Sequence, residues 1–338
     1  MNLKDQLNFA SKLTPKRVVN AVKILGSYGL SKLTKSPKIS GFPMAIGFEP
    51  TTSCNLRCPE CPSGLRSFTR PTGMLQKELY ENTIDQLKES LLYLTFYFQG
   101  EPYLHQDFLA MVKYAAERKI YTATSTNAHY LTPDIAEKTV KSGLDRLIVS
   151  IDGTTQETYQ NYRVGGKLDK VFEGTKNIIA AKKKLNSKTP HIIFQFLVVK
   201  PNEHQIDDVY TIAEELGVDE VRLKTAQIYD YENGNELIPT IDKYSRYKKN
   251  NDGTYSIKHK LVDHCWKMWH SCVITWDGTL VPCCFDKDSE HPMGSLQENT
   301  FKEVWQSSAY THFRQALISS RSEVEICKNC SEGALVNV

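Results

Sequence analysis

An α/β fold built on a largely parallel sheet is what this sequence predicts, and three observations carry the prediction. From residue 44 to about 226, short apolar runs alternate with longer helix-like segments. Several of the runs are apolar almost throughout, as strands covered on both faces are. No internal repeat or low-complexity tract interrupts the series. Regular β–α alternation implies right-handed crossovers and a parallel sheet, closed into a partial barrel or doubly wound. In either arrangement ligands belong at the C-terminal ends of the strands.

Taken in order, residues 1–40 carry eight Lys/Arg against one acid, Asp5. They form a basic helical extension in which Val18, Val22 and Leu25 share one helical face, away from Lys16, Arg17 and Lys23. Such a helix can lie on a membrane or grip an acidic partner. The commoner arrangement, expected here, packs its apolar face on its own domain and leaves its charges in water. A core domain over 41–228 follows, with strands expected at Met44–Phe48, Leu92–Phe98, Tyr121–Ser125, Leu144–Ile151, Ile192–Val199 and Glu220–Leu223. Helices are expected at Gln76–Leu87, Gln106–Arg118, Pro133–Ser142, Lys170–Leu185 and Glu203–Leu216. A third region, 229–338, opens with a tyrosine-rich linker. Asn251-Asp252-Gly253 reads as a hairpin turn there, and Lys243, Arg246, Lys248 and Lys249 as a solvated face. A second hairpin, Val273–Trp276 and Thr279–Val281 about Asp277-Gly278, leads into Cys283-Cys284. The stretch Glu303–Arg321 reads as one helix.

The totals exclude several classes. Of the 338 residues, 40% are hydrophobic and 24% charged, with a formal charge of +3 and a mean hydropathy of −0.42. Nothing in that balance argues for nucleic acid as an electrostatic partner. No apolar run is long enough to span a bilayer, and the first residues lack a secretory apolar core. A cytoplasmic location is expected. Nine cysteines in a reducing compartment favour metal or cluster binding over disulfides.

The cysteines fall in two groups. Cys54, Cys58 and Cys61 form a C-x3-C-x2-C loop directly after the first strand, where a ligand site is expected. Three thiolates on one loop hold three irons of a [4Fe–4S] cube and leave the fourth open, the mark of a catalytic site. The second group comprises Cys265, Cys272, Cys283, Cys284, Cys327 and Cys330. Zinc in both groups, in a non-catalytic binding protein, is the competing reading.

The first loop, with Gln99-Gly100-Glu101-Pro102, Asn127, Ser150-Ile151-Asp152 and Asn161-Tyr162-Arg163 placed in order at strand ends, resembles the radical S-adenosylmethionine (SAM) superfamily. Two positions depart from its commonest pattern: Glu60 stands where an aromatic is frequent, and Gln99 replaces a glycine. The resemblance implies a partial (β/α)6 TIM-like barrel in which Cys54, Cys58 and Cys61 hold a catalytic [4Fe–4S] cluster whose open iron chelates SAM. It implies SAM contacts from Gly100, Glu101, Pro102, Asn127, Ser150, Asp152 and Arg163. The second group resembles the small cysteine-rich SPASM/twitch extension of the same enzymes, nearer the twitch type. That implies one auxiliary [4Fe–4S] cluster on Cys265, Cys283, Cys327 and Cys330, with Cys272 and Cys284 as buried or neighbouring thiols. The expected activity is reductive cleavage of SAM to a 5′-deoxyadenosyl radical, hydrogen abstraction from a small molecule or peptide, and oxidation assisted by the auxiliary cluster. A flavodoxin- or ferredoxin-type protein would donate the electron. Tyr97, Gln195, Lys224 and Gln227, at strand ends, are candidates for the substrate space. Residues 1–40 look short for a leader-peptide-binding domain, which leans towards a small-molecule substrate.

Overall fold

The computed structural model describes residues 3–333. Each apolar run becomes a strand: β1 (Ala45–Phe48), β2 (Tyr93–Thr95), β3 (Tyr121–Thr126), β4 (Arg146–Ser150), β5 (His191–Val198) and β6 (Glu220–Thr225). Consecutive strands pair in parallel from β1 through β6. The intervening helices run Lys77–Leu87, Phe108–Glu117, Pro133–Lys141, Leu168–Lys184 and Ile206–Leu216. Local chemistry sets their limits. Thr132 caps the Ile135 amide with Pro133 in the first turn, and Gly217, at φ 81°, closes Ile206–Leu216 in the left-handed conformation. β2 stops short of the expected Phe98, and the chain turns towards Gly100 at φ 75°. The main core lies between strands and helices, with Phe48, Leu94, Phe96, Val149 and Phe194 buried in it.

The C-terminal region joins this sheet. After an antiparallel pair, β7 (Tyr247–Lys249) and β8 (Tyr255–Ile257), come β9 (Ser271–Ile274), β10 (Thr279–Val281) and β11 (Gly294–Ser295). β9 runs parallel to β1, with Ile46 opposite Cys272. One sheet therefore holds nine strands in the order β11-β10-β9-β1-β2-β3-β4-β5-β6. The outer edge of β1, otherwise a row of unpaired amides, is satisfied by the cysteine-bearing hairpin. The expected helix Glu303–Arg321 is two helices, Phe301–Trp305 and Ser308–Ser320. The break is chemical: Thr300 and Glu303 form a capping box for the first, and Ser307 caps the Tyr310 amide of the second. In the basic cluster, Arg246 is no free surface charge, because its Nε donates to Thr225 Oγ1 at 2.9 Å.

The N-terminal helices, α1 (Leu3–Ala10) and α2 (Pro15–Thr34), lie across the N-terminal end of the barrel. Asp5, buried, takes hydrogen bonds from Tyr121 at the start of β3 and Arg146 at the start of β4. Asn8 and Lys12 reach Asp145 at 2.8 and 2.9 Å. α2 corrects the sequence reading: Val18, Val22 and Leu25 face outward, and Arg17, Asn20, Ile24, Ser27, Tyr28 and Ser31 are buried instead. The reason lies in what α2 covers. Helices Lys77–Leu87 and Phe108–Glu117 end against it with unpaired carbonyls, and Arg17 donates to the carbonyls of Lys88 (2.8 Å) and Arg118 (3.0 Å). Asn20 pairs both backbone groups of Phe42. Polar donors are what that surface requires, so the polar face turned inward. Among the described residues no helix is long and apolar enough to cross a membrane.

Candidate active site

Parallel strands deliver their C-terminal ends to one rim, and the sequence motifs stand there. Cys54, Cys58 and Cys61 occupy the loop after β1; Gly100 and Glu101 follow β2; Asn127 follows β3; Ser150 ends β4. Gly100 has no room for a side chain, since a Cβ would lie 2.1 Å from the Thr51 carbonyl oxygen. Its absence allows the Glu101 amide to donate to the Ser53 carbonyl at 2.8 Å, which locks the cysteine loop to the β2 turn.

These groups border one cavity of about 310 Å³. The three cysteines, Gly100, Glu101, Asn127, Ser150, Arg163, Tyr97, Gln195 and Leu197 all line it. Pro102 and Asp152 stand behind it. Pro102 opens a short 3-10 turn. Asp152 accepts the Leu197 amide at 2.7 Å and Arg163 Nε at 2.5 Å. Of the expected substrate-space residues, Tyr97 and Gln195 reach this cavity and Gln227 lines an adjoining one. Lys224 is exposed and lines neither.

Electrostatics at this rim are set by burial. Burial pushes the Cys54 thiol up to about 11 and also raises Cys58, with the neighbouring cysteines adding to the effect. Glu101 is raised by burial, against donors from the Asn127 amide (2.8 Å), Thr126 Oγ1 (2.7 Å) and the Tyr103 amide (3.3 Å). Burial opposes the Arg163 charge, yet Asp152 beside it holds the guanidinium above its ordinary value. Arg163 Nη1 also lies 3.7 Å from Cys58 Sγ.

At the β9 edge, Cys265, Cys327 and Cys330 are buried and Cys283 is partly so. Burial raises these thiols, and they also raise one another: Cys283 senses Cys265 and Cys327, and Cys330 senses the same two. Arg321 sits among them, donating to Cys330 Sγ (3.4 Å), the His264 carbonyl (3.1 Å) and the Glu332 carbonyl (2.7 Å). Cys272 stands apart in the main core. Cys284, expected as a buried or neighbouring thiol, is exposed beside Cys283, and both line an interior barrel cavity with Tyr97 and Lys267.

Several residues at the site had no motif to announce them. Glu49, at the end of β1, is buried in a bidentate pair with Arg70. Arg70 Nε in turn holds the Lys287 carbonyl at 3.0 Å. Lys287 lines the site cavity, and its Nζ donates to Tyr229 at 2.8 Å. Glu60, where an aromatic was expected, accepts the Tyr229 amide at 2.9 Å. Each contact joins residues at least 21 positions apart, so no local pattern could have revealed it.

The residues fit iron–sulfur clusters. Free thiols held this high stay protonated at neutral pH unless a cation takes them as thiolates. Among the described residues no three His, Cys, Asp or Glu side chains converge on one metal ion, and thiolates bound to separate irons of a cube need not do so.

Comparison with known proteins decides the family. The radical SAM superfamily model matches residues 48–221, half of the chain, and the iron–sulfur cluster-binding SPASM domain matches residues 265–331. This chain belongs to the radical SAM superfamily. As a radical SAM enzyme it binds SAM and a catalytic [4Fe–4S] cluster, with auxiliary iron–sulfur binding in the SPASM region. The zinc-only reading is thereby set aside. Among its relatives is a tungsten-containing aldehyde ferredoxin oxidoreductase cofactor-modifying protein of Pyrococcus furiosus, 25% identical over 316 residues, covering 84% of this chain and 86% of that one. The mycofactocin maturase of Mycobacterium tuberculosis is 27% identical over 175 residues, covering 52% of this chain and 43% of that protein. In fold, the chain matches Streptococcus suis SuiB bound to SAM at a TM-score of 0.65 and 16% identity, over 90% of this chain and 75% of that one.

Proposed function

We propose that this radical SAM chain oxidises an organic substrate by two electrons, using SAM at Cys54, Cys58 and Cys61 and one auxiliary cluster on Cys265, Cys283, Cys327 and Cys330. The observation that carries the reading is the shared cavity, where the three thiols of Cys54, Cys58 and Cys61, the first two raised by burial, meet Glu101, Asn127, Ser150 and Arg163. A cluster with SAM, when bound, supplies a 5′-deoxyadenosyl radical that abstracts hydrogen from the substrate. The chain's own residues do the rest. Glu101, already anchored by Thr126 and Asn127, accepts the methionine ammonium, and Gly100 lets the backbone approach it. Arg163, oriented by Asp152, faces the methionine carboxylate, while Ser150 and Asn127 serve the ribose hydroxyls. Pro102 fixes the turn that presents Glu101. Leu197 and Gln195 cover the adenine side.

Residues 41–228 would form the SAM-binding core and 229–338 the auxiliary region, with 1–40 accessory to both. Tyr97, Gln195 and Lys287 face the space left for substrate. A small molecule is the preferred class, in keeping with the cofactor-modifying activity named for the Pyrococcus relative. A peptide is the second reading. It is favoured by the open cavity of about 610 Å³ beside the site, lined in part by Tyr229, Lys287 and Asn329, and SuiB was solved with its precursor peptide. A flavodoxin or ferredoxin would deliver the electron. A cytoplasmic, reducing setting is in keeping with seven of the nine cysteines being assigned here to clusters.

The test is direct. Anaerobically reconstituted protein given SAM and dithionite should release 5′-deoxyadenosine. The C54A, C58A and C61A variants should release none, and C327A should lose about one cube of iron yet still cleave SAM. Equal turnover by the C58A variant would overturn the assignment.

A further inference from the structure

The inverted packing of α2 leaves a surface that none of the described residues covers. Nine of the sixteen large hydrophobic side chains exposed among the described residues lie between Leu3 and Leu33. On α2 they are Val18, Val19, Val22, Leu25, Leu30 and Leu33, the last 82% exposed. At 100° per residue these positions fill one arc of roughly 140°, running for about 22 Å along the helix. Gly26 and Gly29 fall inside the same arc, and a Cβ on either would meet nothing within 4 Å. α1 adds Leu3 and Leu7, and the connecting turn adds Leu13. A patch of this kind on a folded protein marks an interaction surface.

Charge identifies what covers it. Between Gln6 and Phe48 the sequence contains no Asp or Glu, against six lysines and Arg17. Arg17 is buried on the inner face, and Lys12 is tied to Asp145. The remaining α2 lysines sit at the margins of the apolar arc. Lys16 and Lys23 lie roughly 100° to one side of its centre, and Lys32 lies roughly 90° to the other. In this structure the Lys16 ammonium pairs with Glu89 at 3.2 Å and the Lys32 ammonium lies 5.6 Å from the Tyr28 ring centroid. Both are on exposed stems that an anionic surface laid against the arc can draw to the level at which the apolar side chains enter it. This is the disposition of a helix lying in the interface of an anionic bilayer, its lysine stems snorkelling towards headgroup phosphates. A second copy docked on the same face would set lysine against lysine with no acid on either helix to offset them.

We propose that α1 and α2 form a peripheral docking face for membranes containing anionic lipid. Arg17, Asn20 and Tyr28 fasten the inner face of α2 to the carbonyl of Lys88, to Phe42 and to His264 of the C-terminal region, so docking seats the whole enzyme on the surface rather than unfolding the helix from it.

The test is co-sedimentation of the reconstituted full-length chain with vesicles of phosphatidylcholine plus phosphatidylglycerol, or of phosphatidylcholine alone. Wild type should partition at least about tenfold more strongly onto the anionic vesicles, with the preference weakening as salt rises. The V22E/L33E and K23E/K32E variants should each lose about tenfold in partition. Both alter only exposed side chains, so melting temperature and 5′-deoxyadenosine formation without vesicles should match wild type. Equal partition onto both vesicles, or none, would overturn the proposal. So would a wild-type dimer that V22E/L33E converts to monomer, or an acidic protein partner retained on anionic vesicles only through this face.

Discussion

At the scale of single residues, the site is built from groups that burial has made uncomfortable. Cys54 and Cys58 are raised thiols, and Glu101 is a buried carboxylate that keeps its place through Thr126, Asn127 and Tyr103. Because those donors satisfy only part of the carboxylate's capacity, a ligand ammonium is a fitting remaining partner. Glu101→Gln preserves shape and can still accept from the Asn127 amide, but it removes the charge. The expected result is SAM binding weakened about 10- to 100-fold, in line with the worth of a hydrogen bond to a charged group. Equilibrium binding of SAM to reconstituted protein measures it, with an unchanged iron content showing that the cluster loop is intact. The cysteines and Glu101 were legible in the sequence because short motifs preserve their own spacing. Lys287 and Arg70 were not, because their partners Tyr229 and Glu49 come from other segments.

At the scale of elements, the contact between the β1 loop and the β2 turn does most of the positioning. Gly100 is its weak point: it combines a positive φ of 75° with a prospective Cβ only 2.1 Å from the Thr51 carbonyl. Gly100→Ala must move one loop away from the other. A loss on the order of 2–3 kcal/mol is expected in urea unfolding, together with failure to retain the catalytic cluster while the SPASM iron remains. The regular strands and helices were readable from alternation, since a buried parallel strand cannot avoid being apolar. The split at Ser307 was signalled locally by Thr300-x-x-Glu303 and Ser307, but a continuous helical pattern masked it. Cys284 was expected as a buried or neighbouring thiol; the structure leaves it exposed next to the partly buried Cys283, and the two line one cavity with Tyr97.

For the whole molecule, the N-terminal helices and the C-terminal hairpin close two faces that the core leaves open, the barrel's base and the free edge of β1. Arg17 carries much of the first closure through carbonyls contributed by Lys12, Lys88, Arg118 and Lys119. Arg17→Met keeps the stem and strands those carbonyls. A destabilisation on the order of 3 kcal/mol should appear as a lowered melting temperature, with SAM cleavage intact below it. By itself the sequence determined the parallel α/β core, the two cysteine groups and the family, because periodicity and motif spacing are properties of contiguous residues. Only the tertiary structure decided which face of α2 turned inward, that β9 extends the barrel sheet, and that Lys287 enters the site. Each of those outcomes depends on which unpaired backbone groups a distant segment presents, and a hydrophobic pattern read along one helix or strand holds no record of them.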